Sequence, residues 1–312
     1  MPRRSGLRTS SETASIRLPY VSIERIPLAS GRVSLVVDIG HSWLAPHMVT
    51  FRHHSRFYAR NSAGKFPMDT TEIRLAILGG ETRVEEARAF HRERVAAISR
   101  NVVEGVDLAA PVSGIVLHVI PVGAFDVGAR VDINETIYNH PDLRPLHSPT
   151  PYLRGRYNLD GIFVDDTAFR QQGQGARHYL QLLRRGIMET FDSRLLHSRG
   201  DTILGYPVER TLIDDSRRFL GLMETLGTTP PILILVTVLG TQGRVILTPG
   251  DRYEPEHSVD RGTLPLPEIV VNGFDVDTSQ ALRPMFDALW QAGGYPRSPN
   301  YDADGVWQRR AE

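Results

Sequence analysis

The stretch Gly227-Thr-Thr-Pro-Pro-Ile-Leu-Ile-Leu-Val-Thr-Val-Leu-Gly240 decides how this chain is read. Upstream of it, Leu212, Phe219, Leu222, Met223 and Leu226 recur at helical spacing, which predicts a helix over 208–226. Gly227 then supplies a C-terminal stop, and the Pro pair cannot continue a helix. The apolar run 232–239 is too short for a second helix and has the β-branched content of a buried strand, followed by another at 245–247. Farther out, 179–183 and 187–191 read as strands closing around Arg184-Arg-Gly186, with a further strand at 161–165. A helix at 279–291 ends at Gly293-Gly294, with Asp277 suited to cap it. Antiparallel hairpins mixed with helices define an α+β class.

Toward the N-terminus, 112–122 reads as an apolar strand. Thr82-Arg-Val-Glu85 has the form of a capping box opening a helix that carries Val84, Ala87, His91, Val95, Ile98 and Val102. Strands at 16–26 and 32–39 flank Leu28-Ala-Ser-Gly31, and strands at 48–52 and 56–60 flank His53-His54-Ser55, so two hairpins are expected. Residues 61–65 then leave the second hairpin as a loop. The segment 126–156, rich in Pro, His and Asn, reads as a linker or long loop. The expected organisation is therefore a unit at 1–125, the linker, and a second α+β unit at 157–312.

The 312 residues include no cysteine, which excludes disulfides, thiolate catalysis and Cys-ligated metal centres and fits a cytoplasmic protein. No apolar run approaches the ~20 residues of a membrane span. The basic opening Met1-Pro-Arg-Arg lacks the apolar segment of a secretory signal, and a misplaced start is the expectation. Lys65 is the only lysine, so arginine abundance reflects base composition and carries little functional weight. Formal charge is zero, yet residues 1–65 hold ten Arg/Lys against three acids, leaving an acidic remainder. The N-terminal part is the anion-binding candidate.

Catalytic signatures are incomplete. Gly64-Lys65 lacks the earlier Gly and the following Ser/Thr of a phosphate loop, and Gly173-Gln-Gly175 lacks the third glycine of a dinucleotide site. Gly40-His-Ser42-Trp-Leu44 ends on the wrong residue for a nucleophile elbow. Histidines 41, 47, 53 and 54 have neither helical spacing nor a nearby carboxylate, so no metal and no cofactor is expected. Asp302-Ala-Asp304-Gly305 reads as a turn, and Asp214-Asp215 and Asp165-Asp166 as solvated carboxylates. What remains is the strand in which Arg56, Tyr58 and Arg60 share a face while Phe57 and Ala59 face inward. Arg52 on the partner strand and Lys65 in the following loop extend it. Guanidinium groups suit phosphates and the ring suits a stacked base, with Arg56 and Arg60 expected to project about 7 Å apart and to hold two adjacent phosphates.

Ser42-Trp-Leu-Ala-Pro-His-Met-Val-Thr-Phe51, Phe57-Tyr-Ala-Arg-Asn-Ser-Ala-Gly-Lys65 and Asp69-Thr-Thr-Glu-Ile-Arg74 resemble the closing segment of the Schlafen AlbA-type domain. Ile115-Val-Leu-His-Val-Ile-Pro121, 207–239 and 282–305 resemble the region that follows it in bacterial members. The resemblance implies a partial AlbA-type mixed sheet and relatedness to DNA-binding regulators and, through eukaryotic Schlafens, to nucleases of structured RNA. In such nucleases the metal-binding carboxylates lie in a Glu-containing segment and an Asn/Gly-rich strand-turn that have no match in this sequence, so no catalytic residue carries over. Three readings follow: a nucleic-acid-binding regulatory protein, a scaffold portion of a metal-dependent nuclease, and a protein–protein interaction module. The partners expected are nucleic acid and, as a further option, a second copy of the chain, with no membrane.

Overall fold

A computed structural model describes residues 21–28, 31–39, 45–51, 54–62, 64–148, 155–167, 171, 174–197, 200–247 and 257–309. The chain opens with β1 (Val21–Pro27) and β2 (Val33–Ile39), then β3 (Met48–Phe51), β4 (His54–Asn61) and β5 (Gly64–Pro67). Helix α1 (Thr70–Ser99) leads into β6 (Gly114–Pro121) and the short α2 (Glu135–Tyr138). Strands β7 (Gly155–Tyr157), β8 (Gly161–Asp165), β9 (His178–Leu183) and β10 (Met188–Asp192) follow. Next come α3 (Arg194–His197), β11 (Thr202–Leu204), α4 (Gly205–Thr225), β12 (Ile232–Leu239) and β13 (Val245–Leu247). The chain finishes with β14 (Thr263–Pro265), β15 (Ile269–Val271), α5 (Thr278–Ala281) and α6 (Arg283–Ala292). Helices and strands are interspersed as the α+β class requires.

An eight-stranded sheet in the order β14-β12-β6-β10-β9-β8-β7, with β15 also on β12, organises the body of the molecule; all its pairings are antiparallel. Every residue of β6 and β12 is buried, because the central strands are covered on both faces, and this is why they read as unbroken apolar runs. Ile115, Leu117 and Val119 join Ile232, Ile234 and Val236 under α4 and α6. The alternate residues Val116 and Ile120, with Leu233 and Leu235, turn to the opposite face and meet α1 through Val84, Ala87 and Ile98. Gly205 starts α4 where a Cβ would stand 2.2 Å from the Trp290 ring, so the helix enters the core at its first residue only because glycine is there. Since β6 pairs with β10 and β12, the sheet spans the 126–156 segment, and the boundary expected there does not separate two sheets.

The strands at 232–239 and 245–247 match the reading above, as does the hairpin turn at Gly186, whose φ is +82°. Asp277 caps α5 by accepting from Ser279 N at 2.9 Å, but the expected 279–291 helix is interrupted at Leu282 and restarts as α6 with a proline in its first turn. α1 differs more. It starts at Thr70, twelve residues before the expected cap, because Asp69 and Glu72 form a reciprocal capping box: Asp69 N donates to Glu72 (2.9 Å) and Glu72 N to Asp69 (2.8 Å). Thr82 sits mid-helix and donates back to Leu78 O at 2.8 Å.

The first ten residues of α1 therefore extend beyond the sheet, and the first buried residue of the whole described chain is Gly80. Replacing the Asp69 cap should destabilise only this overhang. Asp69→Ala is expected to cost about 1 kcal/mol locally, read as faster amide exchange at 70–79 with little change in global melting, whereas Thr82→Ala should leave exchange there unaltered or slower. Equal effects of the two substitutions would contradict the placement of the cap.

Candidate nucleic-acid interface

β3, β4 and β5 form a separate three-stranded antiparallel sheet in that order. Residues directly opposite in such a pair project to one face, so the register fixes neighbours. Arg60 stands opposite Lys65, Tyr58 opposite Pro67, and Arg56 opposite Val49. Arg56, Tyr58, Arg60 and Lys65 thus share one exposed face, while Phe57, Ala59 and Phe66 occupy the other and are half-buried. Lys65 is not in a loop, as expected, but in β5: Gly64 adopts φ +124° and returns the chain along β4. The Lys65 ammonium consequently lies over the Tyr58 ring, 5.5 Å from its centroid, within cation–π range. Arg52 lies outside the described residues, as do His41, Ser42, His53 and Gly173.

The register also corrects the expected spacing. Arg56 and Arg60 are four residues apart on one strand, so they stand about 13 Å apart, two phosphate steps and not one. The close basic pair is Arg60 with Lys65, whose Cβ atoms are about 5 Å apart across the ladder. Among the described residues neither meets a carboxylate at ion-pair distance, nor does Arg56. Several arginines of the body are paired instead: Arg94 with Glu189, Arg156 with Asp165, Arg194 with Asp192, and Arg218 with Asp215.

Two polar constellations in the body escaped the sequence reading. The first joins α1 to the sheet. Arg94 donates to both carboxylate oxygens of Glu189 at 2.6 Å, Tyr179 donates to Oε1 at 2.8 Å, and His118 Nε2 lies 2.9 Å from Oε2. His118 Nδ1 is 2.9 Å from His91 Nδ1, and His91 Nε2 is 2.8 Å from the Thr237 hydroxyl. One proton arrangement satisfies every contact with neutral rings: Thr237 donates to His91, His91 to His118, and His118 to the carboxylate. Burial alone would raise the Glu189 carboxyl, but Arg94 and His118 outweigh it and hold it down at about 2. Burial, aided by the neighbouring His118, pushes His91 down to about 3. The network is buried beneath α1, with His118 and Glu189 fully inaccessible, and fastens the helix to the sheet.

The second constellation gathers where β8, β9 and β10 meet at one end of the sheet. Asp192 accepts from Leu195 N (3.0 Å) and from Arg194 (2.9 and 2.7 Å), and donors outweigh its burial to hold its carboxyl far below the usual range. Arg194 also donates to His147 O, and Asp215 accepts from His147 N at 2.7 Å, holding His147 at φ +54°. Asp215 and Asp165 were expected to be solvated. Both instead hold loops, Asp215 through Arg218 and His147, Asp165 through Arg156 and Thr167. Asp302 closes its turn as expected by accepting from Val306 N. Among the described residues no three His, Asp or Glu side chains converge as a metal-ligand set, and no helix is long and apolar enough to cross a membrane.

No protein-family model, curated protein or solved structure matches this chain. The likeness to Schlafen AlbA-type proteins stands on the segments quoted above alone.

The buried network makes the fold acid-sensitive in a defined window. His91 has a native value near 3 against an ordinary ~6.5, so below about pH 6.5 the unfolded chain takes up a proton that the native chain refuses. Glu189 adds a loss of the same sign below its ordinary value of 4.5. Urea unfolding at pH 7 and pH 5 should show a loss of about 2 kcal/mol attributable to His91, and this slope should flatten in His91→Gln. Glu189→Gln should cost about 3–5 kcal/mol at neutral pH, since it leaves Arg94 and His118 facing an uncharged partner. An unchanged slope in the first variant would separate His91 from acid sensitivity.

Proposed function

We propose that this protein binds nucleic acid through the β4–β5 face, holding phosphates with Arg56, Arg60 and Lys65 and stacking a base on Tyr58. Arg52, next in sequence after β3, is proposed to extend the strip. The observation that carries this reading is the direct opposition of Arg60 and Lys65 without a carboxylate between them. Like charges facing each other across an antiparallel ladder destabilise it, and a bound phosphate reverses the sign of that interaction. An exposed ring beside the pair adds a surface on which any base can stack. The excess of cations at 1–65 steers polyanions toward this end of the chain. The resemblance to DNA-binding regulators agrees with this chemistry and gives no residue a catalytic role.

Fluorescence anisotropy at several salt concentrations, with single-stranded and duplex probes, tests the reading. Arg60→Ala with Lys65→Ala should weaken binding equally across sequences and lower the salt slope by roughly two phosphate contacts. Tyr58→Ala should cost about 1–3 kcal/mol on single strands and less on duplex, whose bases are already stacked. Salt-insensitive or absent binding by the wild-type chain would end the proposal, as would a double variant with unaltered affinity and slope.

A further inference from the structure

The β1–β2 hairpin is predominantly apolar on one face and mostly polar on the other. Its register puts Ile23, Arg25 and Pro27 on one face together with Val37, Leu35 and Val33, and leaves Ser22, Glu24, Ser34 and Asp38 on the other beside the exposed Ile26 and Val36. A period-two pattern of this kind belongs to a strand pair with one buried face. The apolar face is nevertheless open: Leu35 is 60% exposed, Val33 56%, Val37 52% and Ile23 49%. β1 and β2 pair only with each other among the described residues, and an isolated two-stranded hairpin is at best marginal in water. Between residue 23 and Gly79 no side chain of described burial is buried, so nothing described nearby supplies the missing layer.

We propose that the apolar face of this hairpin is the surface on which two copies of the chain pair, face to face, each covering the other's Ile23, Val33, Leu35 and Val37. Two hairpins stacked as a small sandwich restore the layer that the alternation anticipates. The size fits. The face offers on the order of 500 Å² per copy, so a symmetric pair buries about 1,000 Å², the threshold for a specific interface. Its chemistry fits as well: Arg25, itself exposed, is the single charge on a face otherwise made of Val, Ile, Leu and Pro. A face with one cation is too sparsely charged to hold a polyanion, and a predominantly apolar surface can pair with its own copy about a two-fold axis. The proposal concerns β1 and β2 only and does not rest on the nucleic-acid reading of β4 and β5.

Light scattering on the full chain through a concentration series is expected to give twice the chain mass of 34.9 kDa, and Leu35→Glu with Val37→Glu should return it to the single-chain value. Trp290 and Trp307 lie in the C-terminal core, so their fluorescence reports whether the body stays folded in the variant. The natural absence of cysteine permits a milder variant. Val37→Cys should give dimers with a short bis-maleimide, whereas Val127→Cys, on a fully exposed turn, should not. A monomeric wild-type chain overturns the proposal, and so does a dimer that survives the double Glu substitution with Val37→Cys refusing to cross-link.

Discussion

The Glu189 carboxylate is the point on which the body of the fold depends. It lies at the centre of the sheet, and α1 reaches it through Arg94 directly and through His91 by way of His118. Apolar packing from Val84, Ala87 and Ile98 would hold α1 against the sheet in many rotations, since non-directional burial tolerates sliding. A bidentate guanidinium and a two-imidazole chain do not tolerate it. The ion pair is therefore better understood as fixing the helix's register than as adding net stability, because desolvating both groups offsets most of their attraction.

Glu209 performs the same service on the opposite face. Its buried carboxylate accepts from the Trp290 indole (2.6 Å), the Trp307 indole (2.7 Å) and Ser298 (2.6 Å), which ties the C-terminal segment to α4. Here burial is the largest influence and the carboxyl is pushed up, despite its neutral donors. The contrast between the two glutamates follows from their partners. Glu189 faces a guanidinium and its carboxyl is held down; Glu209 faces neutral donors, and burial raises its carboxyl.

Elements whose burial follows from local pattern were legible in the sequence: β12, the β9–β10 hairpin, the end of α4 at Gly227, and the alternation that puts Arg56, Tyr58 and Arg60 on one face. What was not legible depends on contacts distant in the chain. Thr82-x-x-Glu85 and Asp69-x-x-Glu72 are equivalent as cap motifs, and the choice between them rests on how far the helix overhangs the sheet. The sequence puts Lys65 in a loop because a hairpin return at Gly64 with positive φ leaves no apolar trace. His118 carries a usable signal as the single ionisable residue inside the apolar β6, whereas Glu189 shares β10 with Asp192. Their partnership with His91 and Arg94 required the fold.

α1 divides the protein into two physical regimes. Beyond Gly80 its residues are packed and fastened; before it, the described residues form five strands and overhanging turns with hydrogen-bonded ladders, and none of those with a described burial is buried. Ladders alone contribute little net free energy, because the unfolded chain bonds equally well to water. The basic strip is thus carried by a sheet whose own stability is small, and any phosphate that binds must offset the cost of ordering it. Covering the hairpin with a second copy would supply burial to β1 and β2, while the strip on β4 and β5 still draws its order from the ligand it holds.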